Sequence, residues 1–321
     1  MKTAVIAVGG NAILRPGDTL TQENQMKHVT STCRGLADLI QFGYDIVIIH
    51  GNGPQVGNIL LRAEMAEAEV PANALDVCVA ESQGQIGYML QQALSSEFAE
   101  RGMDKTAVSL ITQVVVSEDD PAFKDPSKPI GRYYPDGEAR QLEREKGWKL
   151  VHDKKRGGWR RVVPSPEPIG IVESAPVRRL VFGGENQSEV VIACGGGGIP
   201  VIRKNGRLVG VEAVVDKDLA AAMLARSIRE RLLIIATDVE HVCVDYGEPT
   251  QKPLTKITLT DIRKLYDEGQ FPPGSMGPKV LAAMRFLEEG GEEVVITATE
   301  KLVDALEHGA GTHIYRDDIS H

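Results

Sequence analysis

Asp45-Ile46-Val47-Ile48-Ile49-His50-Gly51-Asn52-Gly53-Pro54 is the stretch on which the fold reading turns. A short apolar, β-branched run reads as a buried strand, the glycines as a tight corner, and Pro54 as a residue suited to the first turn of a helix. Two other runs end in the same kind of corner: Thr3 to Val8 before Gly9-Gly10-Asn11, and Val190 to Cys194 before Gly195 to Gly198. Further strand-like runs lie at Thr106 to Val116, Leu232 to Thr237 and Glu293 to Thr297. Helical spacing fills Gln22 to Gln41, Asp76 to Arg101, Lys217 to Arg229 and Pro278 to Glu289. This alternation predicts an α/β fold, a three-layer sandwich around a mainly parallel central sheet covered on both faces.

The 321 residues read as a single unit, residues 1–321, with one interruption. Residues 118–168 hold repeated prolines, both tryptophans and a basic cluster of Lys154, Lys155, Arg156, Arg160 and Arg161. They read as an inserted, protruding subdomain or lid, because a structureless connection of that length is unusual in a compact domain. A disordered insertion is the alternative, and the aromatics with the strand-like Trp159 to Val163 argue against it. Asn205-Gly206, within the alternating Ile199 to Val211, predicts a β-hairpin.

Composition is that of an ordinary globular chain, 42% hydrophobic and 25% charged. A formal charge of −9 should repel a polyanion and favours no nucleic-acid partner, so an anionic substrate must meet a local basic pocket. No apolar run reaches membrane-spanning length and no signal-type segment opens the chain, so the expectation is a cytoplasmic protein that does not meet a membrane. The four scattered cysteines read as reduced and structural.

In an open α/β sheet the carboxyl ends of the strands form the ligand crevice, and the three glycine corners converge there. Glycine lets backbone N–H groups approach an anion, although strand-to-helix turns use glycine without any ligand. Neither GxxxxGK[ST] nor a GxGxxG after the first strand occurs, so phosphate must be held in another way. Phosphoryl transfer needs cations on the equatorial oxygens, which directs attention to lysines beside glycine turns and helix starts. Lys217 in Val214-Val215-Asp216-Lys217-Asp218, Lys279 in Gly274-Ser275-Met276-Gly277-Pro278-Lys279, and Lys128 in Pro126-Ser127-Lys128-Pro129 fit that description. The bland alternatives are a solvated helix-end lysine for Lys217, disfavoured by its two flanking aspartates, and an ordinary loop lysine for Lys128, which taken alone is the better reading there, while Asp218 could equally be a helix N-cap. Asp238 also falls at a strand's carboxyl edge.

Taken together, these segments resemble the carbamate kinase family of the amino acid kinase fold. The resemblance runs in order through Val8 to Ala12, His50 to Asn58, Ser127 to Gly131, Trp159 to Pro166, Gly195 to Val201, Glu212 to Asp218 and Gly274 to Lys279. It implies a homodimer and a reversible reaction, ATP with carbamate giving ADP and carbamoyl phosphate, with magnesium held mainly by the nucleotide phosphates and no protein metal site. Members commonly run the reaction toward ATP, in arginine or related nitrogen catabolism. It implies Lys128, Lys217, Asp218 and Lys279 as catalytic, and Gly9, Gly10, Asn11, Gly51, Asn52, Gly53, Gly196 and Gly197 on the carbamate side. The nucleotide side would comprise Thr237, Asp238, Val239, Tyr246, Met276, Gly277 and Lys279. After Gly131 the chain has Arg132-Tyr133-Tyr134 where the family usually has proline and an aromatic, which sets Arg132 where it could alter substrate contacts. Transfer is expected to be direct, without a phosphoenzyme, with His50 orienting the Gly51 loop. The competing readings are a kinase of another small acid and a nucleotide-binding sensor.

Overall fold

A computed structural model describes residues 2–319 except 16, 155–156, 184–188 and 273. Lys155 and Arg156 of the basic cluster therefore lie outside the described residues. The main sheet has eight strands in the order Lys256–Thr258, Thr312–Tyr315, Glu293–Ala298, Leu232–Thr237, Lys2–Val8, Tyr44–His50, Val190–Ile192 and Ala107–Ser109. Its neighbours pair in parallel, except that Thr312–Tyr315 runs antiparallel to Glu293–Ala298.

Strand periodicity assigns the two faces. Val5, Ala7, Val47, Ile49, Leu233 and Ile235 join one buried cluster with the helices Lys217–Ile228 and Met276–Glu288. Ala4, Ile6, Val8, Ile46, Ile48 and Ile234 join the other, with the helices Gln22–Gln41 and Leu75–Arg101. Because alternate side chains on each strand are apolar in both directions, neither face can meet water, and the three-layer sandwich follows.

Thr106 to Val116, expected as one strand, is two: Ala107–Ser109 ends the main sheet, while Gln113–Val116 enters a second sheet of four strands. The chain changes sheet between them at Thr112, which gives its N–H to the Gln83 side chain while its carbonyl accepts both the Gln83 amide and the N–H of Ile199 at the start of the next sheet. The strands Ile199–Lys204 and Arg207–Gly210 form the expected hairpin in that second sheet. At its corner Asn205 and Gly206 both have positive φ, 51° and 77°, the mirror-image turn that suits strand twist.

Within residues 118–168 an antiparallel sheet of three strands, Lys128–Tyr134, Gly158–Val163 and Lys149–Asp153, packs with the helix Asp136–Lys146. Tyr134, Ala139 and Leu150 form its core against Leu142, Trp148 and Trp159. The ordered cluster contradicts the disordered alternative. Arg161 sits over the Trp148 ring and pairs with Glu212 at 2.5 Å, and Arg160 donates to the Gly131 carbonyl. Arg160 is thus occupied within the insert, and Arg161 ties the insert to Glu212 of the main body.

Replacing Gly206 by alanine is expected to cost about 1 kcal/mol, since a Cβ in the left-handed region is disfavoured. A lowered urea midpoint without a changed slope would register this.

Candidate active site

Neighbouring strands bring their carboxyl ends together in the sheet order, so Thr237, Val8, His50 and the residues after Ile192 line one crest. Gly9 donates to the Ala236 carbonyl at 3.0 Å and Gly51 to the Val8 carbonyl at 3.2 Å, which stitches the corners edge to edge. Gly53 opens the helix Gly53–Ala66, with Pro54 in its first turn. A Cβ on Gly51 would stand 3.5 Å from the Gly10 nitrogen and 3.6 Å from Cδ of Lys217, so the lysine stem crosses directly over this corner.

The four glycines answer to crowding as well as to any ligand. Gly196 and Gly197 have φ of 69° and 95°. Added Cβ atoms there would overlap the Asn52 side chain and the Val215 carbonyl, respectively. Gly195 and Gly198 are packed as closely against the His50 ring and Val114. Gln83 secures the loop by donating to the Gly195 carbonyl at 3.0 Å, and Ser82 accepts from Asn52 Nδ2 at 2.8 Å. Neither Ser82 nor Gln83 was singled out from sequence. In sequence they sit in the polar run Glu81-Ser82-Gln83-Gly84-Gln85 with nothing to set them apart, and only the structure shows both to be buried.

Lys217 and Asp218 are the first two residues of their helix, and Lys279 lies in the first turn of Met276–Glu288. Asp218, 4% exposed in its side chain, accepts from Lys217 Nζ at 2.5 Å on one oxygen and from Lys279 Nζ at 3.3 Å on the other. Asp216, not Asp218, is the N-cap: it accepts the Asp218 N–H at 2.9 Å, because a cap must precede the first helical residue. Lys128 reaches this point from the insert and donates to the other Asp216 oxygen at 2.9 Å. The three lysines are thereby linked through two carboxylates, although Lys128 and Lys279 lie 151 positions apart in sequence.

On the other flank Asn11 donates to Asp238 at 3.2 Å, and Thr237 donates to Asp238 at 3.0 Å. Asn11, Thr237 and Asp238 line a cleft of about 430 Å³ shared with Arg15, His28 and Thr32 but with none of the three lysines. Val239 is half-buried, Tyr246 is 66% exposed, and Met276 and Gly277 begin the helix that carries Lys279. Arg132 does not turn to the lysines. Its guanidinium pairs with Glu138, lies 3.7 Å from Glu64 and stacks over Tyr134, whose hydroxyl donates to Glu64 at 2.8 Å.

His50 is fully enclosed; burial lowers its pKa from 6.5 to about 4, partly opposed by its hydrogen bond to the Gly51 carbonyl. Its Nδ1–H donates to that carbonyl at 3.0 Å, so the ring is neutral and structural. Among the described residues no group of three or more His, Cys, Asp or Glu side chains is placed to hold a metal ion. Both oxygens of Asp218 and both of Asp216 already have donors.

The amino acid kinase family model matches residues 2–298. The carbamate kinase of Thermococcus kodakarensis is 49% identical over 99% of this chain and 100% of its own length. The chain belongs to the amino acid kinase family. Within it, the carbamate kinase of Pyrococcus furiosus is 48% identical over 98% of this chain and 99% of its own. The solved carbamate kinase of Giardia lamblia bound to AMP-PNP superimposes with a TM-score of 0.93 at 41% identity, covering 98% and 99% of the two chains.

Burying a neutral His50 costs stability only in acid. Above pH 6.5 the unfolded chain also leaves it neutral; as pH falls from 6.5 toward 4, the unfolded state takes up a proton that the folded state refuses. The resulting loss should approach about 3 kcal/mol. Urea unfolding of wild type and His50→Asn at pH 7 and pH 5 should show the wild type losing more.

Proposed function

We propose that this protein is a carbamate kinase, transferring a phosphoryl group reversibly between ATP and carbamate. The observation that carries the reading is the convergence of Lys128, Lys217 and Lys279 on the Asp216–Asp218 pair beside the Gly10 and Gly51 corners. Near-full-length identity with curated carbamate kinases supports the acceptor.

In the forward direction a carbamate oxygen attacks the γ-phosphorus, the bond to the β-phosphate oxygen breaks, and ADP carries the electron pair away. Lys217 and Lys279 stand ready to neutralise charge spreading over the transferred group, since ammonium groups in a partly dry site act more strongly than in water. Asp218 keeps both ammonium groups fixed, so little reorganisation is needed at the moment of transfer. Gly9, Gly10, Asn11, Gly51, Asn52, Gly53, Gly196 and Gly197 would receive the carbamate portion through backbone and amide donors. Thr237, Asp238, Val239, Tyr246, Met276 and Gly277 would flank the nucleotide. Magnesium bound to the nucleotide phosphates would share the neutralisation, and the paired carboxylates leave it to the phosphates and water. With His50 neutral and enclosed, the reading includes no phosphoenzyme.

The unit 1–321 would work with residues 118–168 as its lid, bringing Lys128 from above. A cytoplasmic site fits the use of ATP and four free cysteines, three of them buried. No described helix is long and apolar enough to cross a membrane. A homodimer fits the outward side of Leu75–Arg101, where Tyr88, Gln91, Gln92 and Ser95 line a cleft with Ser109 and Ile111 beside the edge strand. Tyr88 and Ile111 are 59% and 50% exposed there, and most of the helix's other apolar residues are core.

Wild-type protein should form ATP from ADP and carbamoyl phosphate with magnesium, and Lys217→Ala should reduce turnover by at least about 10³-fold, near 4 kcal/mol of transition-state stabilisation. Activity on acetyl phosphate but not carbamoyl phosphate would move the reading to another small acid, and nucleotide binding without turnover to a sensor. Sedimentation should give about twice 34.8 kDa for wild type and one subunit mass for Tyr88→Asp.

A further inference from the structure

The mechanism above leaves one carboxylate at the centre of the site without a role. Asp216 adopts an extended backbone (φ −69°, ψ 131°) just before Lys217–Ile228. One side-chain oxygen accepts the Asp218 N–H at 2.9 Å, and the Asp216 carbonyl accepts the Ala220 N–H at 2.9 Å. Gly197 leaves no room for a Cβ against the carbonyl of Val215, so the glycine loop lies close along the backbone just before Asp216. Asp216 is therefore held by the same helix that holds Lys217 and Asp218. Burial works to raise its carboxyl, but Lys128 and the Asp218 N–H outweigh it and leave the group below the ordinary carboxylate range. The group is ionised at neutral pH and can only accept.

Lys128 needs such an anchor more than the other two lysines do. Its side chain is 38% exposed, against 15% for Lys217 and 16% for Lys279, and it comes from a strand of the separate three-stranded sheet. A free lysine stem carries about 2 kcal/mol of rotamer entropy, which binding would otherwise have to absorb. We propose that Asp216 is the positioning residue for Lys128, tying the insert's ammonium to the N-terminus of the helix that bears Lys217 and Asp218, so that all three cations share one frame before substrate arrives. This rests on the carbamate kinase reading and deepens it. It assigns Asp216 an action through Lys128 and none on the reacting atoms.

A double-mutant cycle tests it in the ATP-forming direction, with wild type, Lys128→Met, Asp216→Asn and the double variant. Asparagine keeps an oxygen to cap the helix, and Asp216→Ser serves if asparagine does not fold. The expected result is a loss of about 10- to 100-fold in kcat/KM for carbamoyl phosphate in Asp216→Asn, the scale of a misplaced catalytic group. The KM for ADP should stay within about 2-fold. The double variant should be no worse than Lys128→Met alone. Losses that multiply in the double variant, or an Asp216→Asn protein equal to wild type, would overturn the proposal. Wild type inactive on carbamoyl phosphate would instead sink the functional reading. The tether is then measured directly by acylating lysines with an N-hydroxysuccinimide ester and reading Lys128 by peptide mass spectrometry. Slow labelling in wild type that speeds up in Asp216→Asn supports the tether; equal labelling overturns it.

Discussion

A carboxylate removed from water must be repaid by close cations, and Asp218 is repaid twice. Its two oxygens take Lys217 from one helix and Lys279 from another, and both helices lie on the same face of the central sheet. Either lysine alone would leave Asp218 half-compensated in a poorly screened place, a situation that typically destabilises by several kcal/mol. The pairing therefore fixes the separation of two helix N-termini, and with it the width of the crest above the strands. Both lysines also sit at the positive end of a helix dipole, where a cation is disfavoured. That placement stores a preference for an incoming anion, which the overall charge of −9 would otherwise repel.

The layered fold was readable because it depends on periodicity and on where runs stop. Gln22–Gln41 and Leu232–Thr237 have the bounds their spacing predicted. The family motifs likewise brought Lys128, Lys217, Asp218 and Lys279 into view as separate candidates. What sequence could not supply was the exchange of partners at long range. Nothing local in Thr106 to Val116 says that Thr112 gives its N–H to a glutamine 29 residues earlier and shares its carbonyl between that glutamine and Ile199, so one run appeared where two strands exist. The cap that sequence left open at Asp218 falls to Asp216 for a related reason, since two aspartates flank the helix start and only geometry tells which carboxylate turns back. Arg132 is the third case. Its departure from the family pattern suggested substrate contact, and it is taken up instead by Glu138 and Tyr134.

The basic and aromatic character of residues 118–168 likewise has a local use. Trp159 donates to Asp136 at 2.5 Å, Lys146 pairs with Glu67 at 2.5 Å, and Tyr134 is anchored to Glu64. Glu64 and Glu67 belong to the end of, or directly follow, the helix that begins at Gly53. The insert is therefore joined to the far end of the element whose near end forms a glycine corner. Lys128, tied to Asp216, joins it to the opposite side of the crest.

The loop at residues 195–198 has one more implication. Each missing side chain is replaced by a neighbour that already fills the space: His50, Asn52, Val215 and Val114. No single substitution can be accommodated there without a matching retreat elsewhere, so mutational drift at these positions is blocked from four directions at once. Diversity in what the fold accepts must therefore accumulate on surfaces with slack, and the three-stranded insert, with its own small core, offers an independent place for it.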